Sequence, residues 1–256
     1  MIDVEAGRGV APLTPRLRLE SLTKTFNAHP AIRDLSLTIA SGEIYGLIGP
    51  NGSGKTTTVK LTTGLYRPTA GRIVVGGIDL SREPERAKRR LGYVPDEPFT
   101  CERMTGREFL SLVGELWGVA REVCARRMAE LATTFRLEEI LDSQAETYSR
   151  GNRQKLALIA ALLHAPGLLV IDEPIVGLDP ESSVCARDVL RAYATEGGGV
   201  LLCTHTLSFA EAVCHRVGLL RDGVLVAEGD LEALRARAGV ADASLESLYL
   251  QLAARR

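Results

Sequence analysis

The sequence has no apolar run long enough to cross a membrane. Its longest, Leu156 to Ile171, contains His164 and is broken by Pro166-Gly167; it is shorter than the roughly 18–20 residues a spanning helix needs. It reads as a helix end, a turn and a buried strand, so the chain itself is not expected to span a bilayer. No secretory signal is legible at its start. An excess of one charge is also missing: 31 Lys+Arg stand against 32 Asp+Glu, a formal net charge of −1. A nucleic-acid binder usually shows a basic surplus, so no nucleic-acid partner is expected. The clusters Lys88-Arg89-Arg90 and Arg126-Arg127 fall on predicted helices among acids and read as solvated faces. Cysteines are few and unpatterned. Cys101, Cys124, Cys185, Cys203 and Cys214 form an odd, dispersed set with no C-x-x-C spacing, which reads as reduced thiols of the cytosol. Cys203, inside an apolar run, reads as a small core residue. There is no internal repeat and no low-complexity segment.

What is present is an ordinary globular composition, 45% hydrophobic and 25% charged over 256 residues, enough for one sizeable core or a core with an inserted subdomain. Within it, Gly49-Pro50-Asn51-Gly52-Ser53-Gly54-Lys55-Thr56 is a complete G-x-x-x-x-G-K-T phosphate-binding loop. The apolar segment 43–48 before it suits a buried strand, and Thr57 to Thr63 can continue as a helix until Gly64. Strand, glycine loop and helix are the context this motif needs. Glycines let successive backbone N–H groups face a polyphosphate, and the helix N-terminus adds its positive dipole end. Lys55 supplies a mobile charge for the β- and γ-phosphates, and Thr56 a hydroxyl for Mg²⁺.

Along the chain, residues 1–16 show no period and read as a flexible tail. Strands are predicted over 18–22, 31–39, 71–76 and 91–94, the second turning Leu35, Leu37 and Ile39 inward. Thr105-Gly106-Arg107-Glu108 is a capping box, after which Phe109, Leu112, Val113, Leu116 and Trp117 recur at helical spacing. Further helix is predicted over 121–135 and 153–163, so a helical block of about 96–164 is inserted between strands. Strands return at 168–171 and 200–203. Between them Asp179-Pro180-Glu181 opens a helix. Arg221-Asp222-Gly223-Val224 marks a hairpin, and the chain is helical from Asp230 to its end. Strands alternating with helices imply an α/β fold: a P-loop NTPase with a mainly parallel sheet, an antiparallel β subdomain and the inserted helical subdomain. The ATPase domain is expected over 17–229, with a C-terminal helical tail over 230–256.

A second motif narrows the chemistry. Leu168-Leu169-Val170-Ile171-Asp172-Glu173 is an apolar strand ending in two carboxylates, and in a parallel sheet strand carboxyl ends face the ligand crevice. Asp172 can hold Mg²⁺ through its shell, and Glu173 can polarise a water. Just ahead of this strand, Tyr148-Ser149-Arg150-Gly151-Asn152-Arg153-Gln154 opens a helix. Here the chain resembles the nucleotide-binding domains of ABC transporters, in particular stand-alone export-type ATPase subunits. It keeps the Ser149 and Gly151 of their signature, with Tyr148 in place of leucine, Arg150 of glycine and Asn152 of glutamine. The resemblance extends over about residues 17–230. It implies that Phe26 stacks on adenine, that Gly177-Leu178-Asp179 is a loop touching the opposite subunit, and that His205, after Thr204, contacts the γ-phosphate. Asp96 stands where the family usually has a glutamine that meets Mg²⁺ and water.

The resemblance further implies that two ATP molecules are sandwiched in a homo- or heterodimer. Each would lie on Asn51, Gly52, Ser53, Gly54, Lys55, Thr56 and Thr57 of one chain and under Ser149 and Gly151 of the other. Glu173 would act as base with His205 at the γ-phosphate, and Thr56, Asp172 and Asp96 would serve Mg²⁺. The expected partner is a separate transmembrane permease, placing the chain in the cytoplasm on the inner face of the membrane and working in export. Its docking surface is expected over 97–104, with Phe99 and Met104 as apolar contacts. The alternative is a soluble ABC-type ATPase of DNA repair or translation. Repair relatives carry long coiled-coil insertions and translation relatives usually two cassettes, and neither is present. A small-molecule P-loop kinase would not need Ser149-Arg150-Gly151 or Glu173. A GTPase would need an N-K-x-D motif, which does not occur.

Overall fold

The computed structural model describes residues 14–98, 100–101, 103–173, 178–240 and 243–254. In chain order, β1 (Leu17–Phe26), β2 (His29–Ile39) and β3 (Ile44–Ile48) lead through the glycine loop to α1 (Lys55–Thr62). There follow β4 (Ala70–Val75), β5 (Ile78–Asp79), α2 (Pro84–Lys88) and β6 (Leu91–Val94), then α3 (Gly106–Leu116), α4 (Arg121–Phe135) and α5 (Arg150–Leu162). The chain continues with β7 (Leu168–Asp172), α6 (Pro180–Thr195), β8 (Gly199–Thr204), α7 (Leu207–Val213) and β9 (Arg216–Arg221). It closes with β10 (Val224–Gly229), α8 (Leu231–Ala238) and α9 (Leu245–Ala254).

Two sheets result. The larger has the order β10-β9-β3-β8-β7-β6, parallel from β9 to β6 with β10 antiparallel at one edge. Every residue of β3, β7 and β8 is buried, as expected of central parallel strands covered on both faces. The smaller sheet, β2-β1-β4-β5, is antiparallel. Its β1 runs to Phe26 rather than stopping at Leu22: Ser21, at φ 46, takes up a shift in register and the strand continues.

The two faces of the large sheet carry different cover. Leu35, Ile39, Val59 and Leu61 pack with Leu47, Val170, Leu201 and Cys203, so the antiparallel sheet and α1 close one side. Leu110, Phe135, Leu156 and Ile159 pack with Leu169, Ile171 and Leu202, so the inserted helices share a core with the other side. Helices α8 and α9 seat Leu234, Leu245 and Leu248 against Leu219 and Ala227 of the hairpin strands.

The capping box forms in full: Thr105 Oγ1 accepts from the Glu108 amide, and Glu108 accepts from the Thr105 amide at 2.8 Å. Four further details differ from the sequence reading. The last helix of the inserted block begins at Arg150, not Arg153, because Ser149 Oγ accepts from the Asn152 amide and caps it there. Leu116 ends the α3 stripe 76% exposed, about two turns past the packed residues Phe109 and Leu110. Arg16 is not part of a loose tail, since its guanidinium donates to the Gly197 carbonyl at 2.9 Å and to Ser41 Oγ at 3.2 Å. Arg127, read as solvated, donates instead to the Leu163 carbonyl and ties α4 to the end of α5. Cys203 is fully buried, as expected, and all five thiols are unpaired.

Candidate nucleotide site

The glycine loop is as tight as its composition suggests. A Cβ on Gly49 would stand 2.3 Å from the Leu220 carbonyl oxygen, and one on Gly54 would stand 2.5 Å from Ile32 Cδ1. Gly54 also sits at φ 111, a left-handed conformation that L side chains rarely adopt. The loop is pinned from outside by the Gly223 amide, which donates to the Ser53 carbonyl at 2.9 Å. Lys55 is buried at the first position of α1, its Nζ donating to the carbonyls of Gly49 at 2.7 Å and Pro50 at 3.2 Å. Asn51 and Gly52 are exposed on the outer turn.

Strand order brings distant residues to this loop. With β3, β8, β7 and β6 side by side, Ile48 pairs with Thr204, Cys203 with Asp172, and Ile171 with Val94. The segments leaving their carboxyl ends therefore line up as the glycine loop, His205, Glu173 and Asp96. One cavity of about 380 Å³ is lined by Asn51, Gly52, Gly54, Lys55, Thr56 and Thr57 on one side. Asp96, Arg150, Glu173, His205 and Ala31 complete its wall.

Glu173 is the most constrained of these. It is a non-glycine residue at φ 52, a conformation disfavoured by about 1–2 kcal/mol and found where surrounding structure over-determines it. Its amide donates to the Cys203 carbonyl at 2.8 Å. Thr204 Oγ1 donates to its Oε2 at 2.9 Å, and the His205 amide to its Oε1 at 3.0 Å. His205 Nδ1 lies 2.7 Å from Oε1; since an ionised carboxylate only accepts, Nδ1 carries the proton.

Asp172 is 3% exposed, and its Oδ1 has no hydrogen-bond partner. Burial raises the pKa of this carboxyl, the Thr56 hydroxyl lowers it, and the charges of Glu173 and Asp96 raise it again. Tyr93, on the neighbouring strand, is pushed up to about 12 by burial and by the charges around it, Asp172 first and Asp96 among the rest. A buried, unpartnered carboxylate oxygen beside a hydroxyl is a fitting donor set for a hard divalent cation. Ser53 Oγ is likewise buried without a partner within the loop.

The start of α5 forms the far wall. Ser149 is exposed and caps the helix, Gly151 is buried, and neither lines the cavity. Arg150 does, and its Nη2 lies 3.9 Å from Asp96 Oδ1. Tyr148 is buried, with its hydroxyl donating to the Ile140 carbonyl at 2.6 Å; a leucine could not make this bond. Phe26 does not line the cavity. It is 39% exposed at the end of β1, edge-on to Tyr66 at 5.3 Å with Lys24 Nζ 4.8 Å above its ring. Asp179 caps α6 through the Ser182 amide at 2.9 Å. Gly177 and Phe99 lie outside the described residues, and Met104 is half-buried against the core of the helical block. The sequence missed Thr204 as a ligand of Glu173 and Arg150 as a wall of the cavity. Only the strand-end position of the first and the family mismatch at the second hinted at them.

The architecture and this arrangement meet in known proteins. The ABC transporter family profile matches residues 32–176. The ABC-type transporter ATP-binding protein EcsA of Bacillus subtilis is 34% identical over 92% of this chain and 96% of that protein. This chain belongs to the ABC transporter family. The daunorubicin/doxorubicin resistance ATP-binding protein DrrA of Streptomyces peucetius is 35% identical over 88% of this chain and 68% of its own. A solved ATP-binding subunit of an ABC transporter superposes with a TM-score of 0.88 at 35% identity, covering 93% of this chain and 99% of that one. A dimeric bacterial ABC transporter cassette shares the fold, with a TM-score of 0.77 at 24% identity over 84% of this chain and 98% of that one. The chain is thus an ATP-binding subunit of the ABC type and an ATPase. Among the described residues no helix is long and apolar enough to cross a membrane.

Proposed function

We propose that this ABC ATPase hydrolyses ATP at a site completed by a second ATPase subunit, and that the cycle drives a separate membrane permease in the export direction. The observation that carries the reading is Glu173: a strained, hydrogen-bonded carboxylate at a strand end, held by Thr204 and His205 in the wall of the glycine-loop cavity. Lys55 and the loop amides bind the β- and γ-phosphates, with Ser53, Asn51, Gly52, Gly54 and Thr57 closing round them. Thr56, Asp172 and Asp96 would hold Mg²⁺, which when bound would neutralise charge on the phosphate oxygens. The His205 ring would leave Glu173 for the γ-phosphate, freeing a lone pair on Oε1 to orient a water while the His205 amide and Thr204 keep the carboxylate in place. That water's oxygen attacks the γ-phosphorus, its proton passes to Glu173, and the bond to the ADP oxygen breaks.

Ser149 and Gly151 lie off the cavity of their own chain at a helix N-terminus, which suits an anion brought by another molecule. This supports the two-chain sandwich, and the adenine would rest on the exposed Phe26. The permease and the export direction draw support from the named relatives, which include a drug-resistance ATP-binding protein. The docking surface would be the segment 97–104, with Met104 as a contact. Affinity capture of the full chain from native membranes in mild detergent tests this. A polytopic membrane protein is expected to co-purify, with at least several-fold less recovered for Met104→Asp at unchanged ATPase rate. Recovery of the chain with no membrane protein would favour the soluble ATPase instead.

A further inference from the structure

We propose that Arg150 is the charge partner that allows an acid to stand at position 96, and that the two residues act as one unit in nucleotide binding. The inference rests on the ATPase reading above. Both positions depart from the family pattern the chain resembles, an acid replacing an amide and an arginine replacing a glycine. Far apart in sequence, they meet in space: Arg150 Nη2 is 3.9 Å from Asp96 Oδ1, and both line the cavity with Lys55, Thr56 and Glu173.

The electrostatics require such a partner. Glu173 lines the cavity with Lys55, the buried Asp172 stands close enough to feel the charges of both, and the substrate is a polyanion. A third carboxylate repels that substrate unless a cation offsets it. An ion pair near 4 Å on a protein surface is attractive before screening and ordering reduce it. Arg150 also has no local reason for its place. A cation in the first turn of a helix opposes the dipole, and the first turn of α5 contains no acid. Stability does not explain it either, because both side chains are about half exposed, 56% and 51%, and such pairs stabilise folds little. What remains is the field in the cavity. Arg150 holds Asp96 neutralised, so it acts on the nucleotide through Asp96 and not by its own contact with the phosphates. Arg150 is therefore a positioning residue for the nucleotide.

The test is a double-mutant cycle on the full chain, with a fluorescent ATP analogue as probe at low ionic strength. Arg150→Gln is expected to weaken binding about three- to tenfold, a coupling typical of residues in direct contact. With Mg²⁺ chelated, so that any role of Asp96 toward the metal does not enter, Asp96→Asn should bind the probe no more weakly than wild type. Adding Asp96→Asn to Arg150→Gln should restore affinity to within about twofold of Asp96→Asn alone, and Arg150→Lys should retain most of it. The gap should shrink at about 0.5 M salt, where charges a few ångströms apart in water are screened. Thermal unfolding should be unchanged by all four variants. Equal losses from Arg150→Gln with and without Asp96→Asn would overturn the pairing, as would lowered unfolding temperatures with unchanged affinity. Lys55→Ala separates the two levels: if it binds the probe as tightly as wild type, the nucleotide-site reading fails, and the pairing with it.

Discussion

Two aspartates, one at the end of each sheet, share residue type and burial and differ in everything else. Asp79, at the end of β5, is 7% exposed; Asp172, at the end of β7, is 3% exposed. Asp79 Oδ1 accepts from the Ser81 hydroxyl at 2.6 Å and amide at 2.8 Å and from the Arg82 amide at 3.2 Å. Its Oδ2 accepts from Arg72 Nε at 2.5 Å. The Ser81 hydroxyl first, then Arg72 and the amides, hold its carboxyl well below the usual range against the opposing effect of burial. Asp172 keeps an unpartnered oxygen, and burial raises its carboxyl instead. Burying an ionisable group without partners is costly. The antiparallel subdomain satisfies its acid internally, whereas the parallel sheet leaves one unsatisfied where ligands enter. The difference separates an acid that builds the fold from one held for chemistry.

The largest effect is expected beside Asp172. Loss of a general base typically lowers rate by about 10²–10⁴, so Glu173→Gln should fall by that much in steady-state phosphate release while still binding ATP. Next comes Asp79→Ala, which removes a charge-assisted network of hydrogen bonds, each worth about 1.5–3 kcal/mol. Denaturant unfolding should show a loss of that order with ATP affinity intact. The sign with pH follows from the lowered carboxyl: its contribution is present above the unfolded value of about 4 and fades as pH falls further. The gap between wild type and Asp79→Asn should therefore narrow in acid. The smallest effect, opposite in sign, is expected for Asp172→Asn without Mg²⁺. A raised carboxyl favours the fold only while protonated, so its ionised form opposes folding at neutral pH. Asp172→Asn should unfold at a higher temperature than wild type at pH 7, with the two converging below pH about 4, and should hydrolyse ATP poorly. A lower unfolding temperature for Asp172→Asn would erase the contrast with Asp79.

Much of this was legible because it is local. The glycine loop, the capping box at Thr105, the span of α4, the Asp179 cap and the Arg221–Val224 hairpin are each written within a few consecutive residues. The carboxylates at the end of β7 were legible because an apolar run ending in acids is itself a strand-end signal. What escaped depends on the order of strands and on reach across the cleft. Thr204 meets Glu173 because β8 lies between β3 and β7. Arg150 meets Asp96 because α5 returns across the carboxyl end of β6. Tyr148 appeared as a departure at the signature, and its hydroxyl bond to Ile140 ties the start of α5 to the preceding turn. The continuation of β1 past Ser21 needed a backbone kink that no residue type announces.

We propose that Glu173 and the glycine loop form half of a site that a second ATPase subunit, a further copy of this chain or a different one, completes. Light scattering on the Glu173→Gln chain, with and without Mg-ATP, tests it most directly. A shift from about one chain mass to two on adding ATP, absent with ADP and lost on adding Lys55→Ala, is the predicted result. A chain that stays monomeric with ATP while hydrolysing it at the wild-type rate would contradict both the role of Glu173 and the shared site.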